Sequence, residues 1–252
     1  MKILISPTSL EEAEAAIAGG ADIIDVKNPA EGSLGASFPW VIRRVAERIA
    51  GRPILLSATL GDLPAKPGTA ALAALGAIQS GARYIKAGLY GTRDEAEARA
   101  VMRAVTRTCR ETDATLLPVA AGYADYRRFA GLDPQTIVRV ARDSDAALVM
   151  LDTAIKDGAT LFDALDEAEL AAFASAARVA GLGVALAGSV GLRHLAALRR
   201  IGADVVGIRG AVCRGGDRRS AIDAGLVKDF IARALMPAEG VSPTGIPVSL
   251  EL

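Results

Sequence analysis

Along this chain, short apolar runs rich in β-branched residues alternate with longer alanine-rich stretches whose apolar positions recur at helical spacing. The runs "KILIS" (2–6), "DIIDVK" (22–27), "PILLSAT" (53–59), "YIKAG" (84–88), "TLLPVAA" (115–121), "ALVMLD" (147–152), "GVALAG" (183–188) and "VVGIR" (205–209) read as strands. Their near-continuous apolar character suits a parallel sheet covered on both faces. Between them lie helical patterns such as "SLEEAEAAIAGG", "TRDEAEARAVMRAVTRTC" and "TLFDALDEAELAAFASAARVAG". Several of these end in a glycine phrase, "GGAD", "SGAR", "AGLG" or "IGAD", that leads straight into the next strand. Glycine just past a helix end supplies a left-handed cap, and so short a link suits a tight helix-to-strand turn.

Eight strand-then-helix units in about 235 residues predict an α/β fold, a single (β/α)8 barrel spanning residues 1–236. A doubly wound open sheet is the rival arrangement. After Met236 the segment "PAEGVSPTGIPVSLEL" has three prolines and two glycines in 16 residues. Residues 237–252 therefore read as a flexible tail or an arm laid on a neighbour.

The totals narrow the function. At 252 residues and 51% hydrophobic, the chain is able to bury a substantial core. Its 29 basic residues are balanced by 29 acidic ones, so no net field favours nucleic acid or an acidic membrane surface. The N-terminus turns polar too soon for a signal-peptide core, and no run approaches the ~18 apolar residues of a membrane span. The expectation is a soluble, cytoplasmic protein with a small-molecule partner, with a homo-oligomer left open. Cys109 and Cys213 stand alone and far apart, which suggests reduced thiols rather than a zinc cluster or a disulfide framework.

Only six of the 29 basic residues are lysine: Lys2, Lys27, Lys66, Lys86, Lys156 and Lys228. Where Arg supplies the ordinary positive charge, a lysine at a strand end is of interest for what Arg cannot do, which is lose its proton. Lys27 ends the second strand with Asp25 two residues before it. Lys86 lies late in the fourth strand, and Asp152 ends the sixth with Lys156 four residues on. In a barrel the C-terminal strand ends carry the chemistry, residues two apart face the same side, and alternate strands feed the same interior layer. Amines and carboxylates from strands two, four and six are thus expected to converge at one mouth. Such a cluster can form a Schiff base with a carbonyl, shuttle protons or neutralise phosphate. The loops after strands seven and eight, "AGSVGL" and "GIRGAVC", occupy the usual phosphate position of a barrel, with Gly188, Ser189, Gly210 and Ala211 as the candidate cradle. Arg209 would either touch the anion or pair with an acidic neighbour. His194, the only histidine, is expected in an outer-ring helix with a surface or capping role.

With these residues placed, the chain resembles the (5-formylfuran-3-yl)methyl phosphate synthase family of methanofuran biosynthesis. The resemblance covers about residues 1–236 and is carried by "LISPTSLEEAEAAIAGGADIIDVKNPAEGSLGA", "RYIKAGLYG", "MLDTAIKDG" and "AGSVGL". It implies a lyase with aldolase character that joins two glyceraldehyde 3-phosphate molecules into a phosphorylated furan aldehyde, losing one phosphate and two waters. It further implies Lys27 as the Schiff-base former, Lys86 as a proton acceptor, and Asp25, Asp152 and Lys156 as the remaining charged active-site positions, with no metal or organic cofactor. Without the resemblance, three other readings stay open: another Schiff-base sugar-phosphate aldolase, a cofactor-free isomerase or epimerase, and a barrel that only senses a phosphorylated metabolite.

Overall fold

The computed structural model describes residues 1–236; the tail expected at 237–252 lies outside the described residues. Eight strands alternate with helices. In chain order they are β1 (Lys2–Ile5), α1 (Leu10–Ala18), β2 (Ile23–Val26), α2 (Pro39–Ile49), β3 (Leu55–Asp62), α3 (Pro67–Gln79), β4 (Tyr84–Gly88) and α4 (Glu95–Thr112). There follow β5 (Leu117–Tyr123), α5 (Pro134–Asp143), β6 (Leu148–Asp152), the one-turn α6 (Leu161–Ala164), α7 (Glu167–Val179), β7 (Gly183–Leu186), α8 (Leu195–Ile201), β8 (Val205–Ile208) and α9 (Ala224–Leu235). Every neighbouring pair is parallel, and β1 pairs with β8 from Lys2 opposite Val205 to Ile5 opposite Ile208. The sheet therefore closes on itself, which settles the choice between the barrel and the open sheet.

Local chemistry explains the alternation. Ser9, Asp94, Asp133, Asp166 and Asp223 each accept a backbone N–H at the start of a helix, satisfying donors that the first turn leaves without partners. At the other ends, Gly20, Gly81, Gly181 and Gly202, one in each of the four glycine phrases, all have positive φ. The aspartates that follow two of these phrases tie the barrel floor together. Asp22 accepts the Ile3 N–H at 2.7 Å and Asp204 accepts that of Val184 at 2.8 Å. The pattern over 160–180 is two helices rather than one. Asp166 and Glu169 form a reciprocal capping box that restarts the chain after Leu165.

Two apolar regions hold the molecule. One lies between sheet and helices, where Phe173, Phe230, Ile24, Ile85 and Val149 are buried. The other fills the barrel interior. Its lowest layer is Ile23, Tyr84, Leu148 and Val205, one side chain from each even strand, as barrel geometry requires. Two residues further along the same strands stand Asp25, Lys86, Met150 and Gly207, so the interior turns from apolar to charged within one repeat of the pleat. This transition positions the site.

Sheet and helix approach closely where β5 meets α5. A Cβ built on Gly122 would lie 2.5 Å from Cγ1 of Ile137. Gly122→Ala should thus lower the unfolding free energy by about 1–3 kcal/mol through overpacking, readable from urea denaturation. Placed in an Ile137→Ala background, where the obstructing side chain is gone, the same change should cost almost nothing.

Candidate active site

Strands two, four and six do bring their charged residues together at the C-terminal mouth. Asp25 is inside β2, and Lys27, one residue beyond the strand end, follows it on the same face. Lys86 is the middle residue of β4 and only 2% exposed. Asp152 closes β6, and Lys156 reaches back to it from the following loop. All five line one cavity of about 1100 Å³.

Within the cluster the contacts are unequal. Lys86 Nζ donates to Asp25 Oδ2 at 2.8 Å, and Lys156 Nζ donates to Asp152 Oδ1 at 2.7 Å. Asp25 also accepts from Ser57 Oγ at 2.6 Å and from Ser6 Oγ at 3.2 Å, while Lys156 adds Thr153 Oγ1 at 3.1 Å. Among the described residues, Lys27, 7% exposed, has only the carbonyl of Ser33 at 3.2 Å and Asp152 Oδ2 at 4.0 Å. Three amines thus share two carboxylates, and both carboxylates have a nearer partner than Lys27.

The electrostatics follow from that arrangement. Burial, opposed by Asp152 and Asp25 and assisted by Lys156 and Lys86, brings the Lys27 amine down from 10.5 to about 8. Burial acting alone would raise the two carboxyls. The lysines reverse this, holding Asp25 below its ordinary value through Lys86 and Lys27, and Asp152 at about 2 through Lys156 and Lys27. At pH 7 a group titrating at 8 is neutral in roughly one molecule in ten, against a few in ten thousand for an ordinary lysine. The geometry therefore singles out Lys27 as the amine most readily available as a nucleophile.

Neighbouring loops hold these groups in place. Ser33 Oγ donates to the carbonyl of Thr153 at 2.9 Å, joining the β2 loop to the β6 loop directly above Lys27. Asp125 accepts the N–H groups of Ala154 and Ile155 at 2.7 and 2.9 Å, fixing the segment that carries Lys156. Beside them Tyr123 donates to Asp62, both at strand ends, and burial raises both groups. No sequence signal marks these residues, because β3 and β5 run two to three residues past the expected ends at 59 and 121.

The four cradle candidates line the β7 and β8 side of the same cavity. Gly188 and Ser189 have φ of 112° and 51°, and a Cβ on Gly188 would lie 3.0 Å from Thr153 Cγ2 and 3.1 Å from its N. Gly210 and Ala211 open a 3₁₀ turn, Gly210–Val212. Among the described residues, the backbone amides of these four make no hydrogen bond to another group of the chain. Arg209, whose role the sequence left open, is held by Glu12 at 2.8 and 3.0 Å and by the carbonyls of Ser6 and Arg218. It is a structural partner of the first loop. His194 sits at the cavity edge, at the end of the 3₁₀ turn Leu192–His194, rather than on the outer ring. Cys109 and Cys213 are buried and free, with the Cys109 thiol pushed up to about 11 by burial. Among the described residues no group of three or more His, Cys, Asp or Glu is placed to hold a metal, and no helix is long and apolar enough to cross a membrane.

The Lys27 amine makes stability pH-dependent with a definite sign. Its folded-state value lies below its unfolded one, so between pH 8 and 10.5 the unfolded chain binds more protons and stability rises with pH. The unfolding free energy of wild type minus that of Lys27→Met should therefore grow by about 3 kcal/mol across this interval. Taking the difference removes the opposing effect of the raised tyrosines and cysteines common to both. Asp152 acts at the other end, with stability lost as pH falls from 3.8 towards 2. Denaturant titrations at stepped pH measure both limbs.

Residues 3–231 match the family model described as 4-HFC-P synthase. The (5-formylfuran-3-yl)methyl phosphate synthase of Methanothermobacter thermautotrophicus is 61% identical over 220 residues, covering 87% of this chain and 92% of the relative. That of Methanocaldococcus jannaschii is 52% identical over 231 residues, covering 91% and 98%. Among solved structures, a 3-hexulose-6-phosphate synthase superposes with a TM-score of 0.64 over 92% of this chain and 99% of its own, at 20% identity, a likeness of fold alone. By the family model and by these relatives, the chain belongs to the (5-formylfuran-3-yl)methyl phosphate synthase family.

Proposed function

We propose that this protein condenses two molecules of glyceraldehyde 3-phosphate into (5-formylfuran-3-yl)methyl phosphate, releasing one phosphate and two waters, through an imine on Lys27. What carries this reading is the buried set of three amines and two carboxylates at the barrel mouth, in which Lys27 alone lacks a close carboxylate. Family membership supports the product class.

In the proposed course, neutral Lys27 Nζ adds to the aldehyde carbon, and the carbinolamine expels water to form the imine. Lys86, resting as the ammonium partner of Asp25, supplies the proton that the departing hydroxyl needs. It is thereby converted into a neutral amine beside the newly acidic α-carbon, and takes the proton released there. Asp25 remains ionised throughout and steadies Lys86 in both states. The resulting enamine has two outlets, loss of the phosphate on the next carbon or attack on a second aldehyde. Asp152 and Lys156 face the imine nitrogen and move protons during hydrolysis. The open amides of Gly188, Ser189, Gly210 and Ala211 suit a phosphate group on the bound molecule. The charged cluster needs no metal for these steps, because Lys27 is the electron sink.

Borohydride reduction in the presence of glyceraldehyde 3-phosphate should leave a mass adduct on Lys27 in wild type and none in Lys27→Arg, which keeps the charge but not the nucleophile. An adduct-free wild type overturns the imine. A strong ultraviolet band should develop during turnover, since a furan aldehyde is conjugated and a simple aldol product is not. Lys86→Arg should form the Lys27 adduct more slowly, because the guanidinium does not give up the proton that dehydration needs, and should lower turnover by roughly 10²–10⁴-fold.

The rate of trapping should also rise with pH to a plateau just above 8. Lys156→Met should displace that limb to higher pH, because it removes a cation near Lys27 and leaves Asp152 to pair with Lys27 instead. At pH 7 this means a several-fold slower adduct formation, about tenfold for each pH unit of displacement. An unmoved limb would show that Lys156 does not tune the nucleophile.

A further inference from the structure

The turn after β7 contains two hydrogen-bond contacts that a single imidazole cannot both accept. The backbone N–H of Gly191 donates to Nδ1 of His194 at 3.0 Å, while the Nε–H of Arg193 points at Nε2 of the same ring, also at 3.0 Å. Neutral imidazole has one lone-pair nitrogen and imidazolium has none, so both contacts cannot be hydrogen bonds. The Gly191 amide is fixed by the turn, whereas the exposed Arg193 side chain is free to rotate. The network thus assigns the lone pair to Nδ1 and the proton to Nε2. Stacking on Phe162, with centroids 4.9 Å apart and 19° between planes, holds the ring in that orientation. Burial and the neighbouring Arg193 both disfavour the charged form. Two donors, Nε2–H of His194 and Nε–H of Arg193, then face each other at the cavity edge with no acceptor between them.

A third donor group approaches from the β8 loop. Four arginines line the cavity: Arg193, Arg209, Arg218 and Arg219. Arg209 is paired with Glu12 and Arg219 with Asp217, but Arg193 and Arg218 make no salt bridge among the described residues. Asp163, a carboxylate near the first turn, caps a helix by accepting from Thr160 N and Oγ1 at 2.8 Å each. The two loops abut. A Cβ on Gly191 would lie 3.8 Å from that of Ala211, and one on Gly210 would lie 3.6 Å from Cβ of Arg218.

We infer that Arg193, the Nε2–H of His194 and Arg218 form a side-chain clamp for the phosphate monoester of the bound substrate, completing the cradle of backbone amides. Two guanidinium groups, an imidazole N–H and four amides present more donors than a carboxylate's two oxygens accept, and their two positive charges match a phosphate dianion. The phosphate oxygen enters between His194 and Arg193 and supplies the acceptor that the turn lacks. That the phosphate belongs to an aldehyde rests on the reading above, but the clamp itself does not require imine chemistry.

The test therefore uses inorganic phosphate as well as substrate. Arg193→Met and Arg218→Met should each weaken phosphate binding, measured by calorimetry, by at least about fivefold, and raise the concentration of glyceraldehyde 3-phosphate needed for borohydride trapping by the same factor. Trapping of unphosphorylated glyceraldehyde should be unchanged. A smaller loss of phosphate affinity in either variant overturns the clamp. Failure of wild type to trap any aldehyde, with phosphate affinity falling as stated, would overturn the imine instead and leave the clamp supported. Because His194 is the only histidine in the chain, ¹⁵N NMR of the unmodified protein reads its ring directly. The Nε2–H tautomer, with that proton shifting downfield as phosphate is added, is expected. The Nδ1–H tautomer, or a ring signal indifferent to phosphate, overturns the assignment without any variant having to fold.

Discussion

An odd number of charges in a closed space governs this molecule. Two carboxylates and three amines meet at the end of a barrel whose interior is filled mainly by Leu, Ile, Val, Ala, Tyr and Met. A buried ion pair is tolerated when its geometry is short and its remaining lone pairs are met, and Lys86–Asp25 with Ser57 and Ser6 meets both conditions. Lys156–Asp152 is equally short, and the same Oδ1 also accepts the Thr153 N–H at 2.7 Å. The fifth charge has no such arrangement, which makes its proton easier to lose than that of an ordinary lysine. The reactivity proposed for Lys27 therefore does not need a dedicated base; it would follow from the charge count and from an amine that stands 4.0 Å rather than 2.8 Å from a carboxylate.

The barrel supplies the conditions for that imbalance. Closure between β1 and β8 removes any sheet edge through which water would enter. The alternation of facing puts Asp25 and Lys27 into the same interior, one and two layers above Ile23. Gly207 on β8, at the level of Lys86 and Met150, adds no side chain to this layer, and Ala187 and Leu4 crowd the position, with Ala187 Cβ 3.1 Å from where a Cβ would stand. The apolar floor and the charged roof are thus parts of one packing pattern, and the cavity is what remains where the roof is not filled.

Much of this was legible in the sequence because strand pattern and barrel geometry are both periodic. Lys27, Lys86 and Asp152 fall at the ends of apolar runs, and a period of two aligns Asp25 with Lys27 without further information. The four glycine phrases identified the helix ends correctly because positive φ has a strong residue preference. Contacts made by loops were not legible. Nothing in "NPAEGSLGA" indicates that the Ser33 carbonyl will hold Lys27, or that its hydroxyl will reach 120 residues to Thr153. Asp62 and Tyr123 escaped notice because their strands continue through residues of weak strand character. His194 was assigned to the outer ring because the 3₁₀ turn preceding α8 has the same local spacing as a helix, and only the tertiary path turns its ring toward the cavity.

The separation of amines and anion donors onto different strands has an electrostatic rationale. A dianion held close to Lys27 would stabilise its ammonium form. At ~4 Å and an effective dielectric constant near 20, each unit of charge contributes about 4 kcal/mol, equivalent to roughly three pKa units. That is enough to cancel the fall from 10.5 to about 8. Under the proposed function, a substrate phosphate bound among the lysines would thus suppress the nucleophile assigned to Lys27. In this fold the amines come from β2, β4 and the loop after β6, while the open amides and unpaired arginines come from the loops after β7 and β8. Arginine at the phosphate end keeps the arrangement stable across the pH range in which Lys27 titrates, because a guanidinium does not lose its proton there. The chain's preference for Arg wherever charge alone is needed, and its restriction of lysine to a few positions, is the compositional trace of that division.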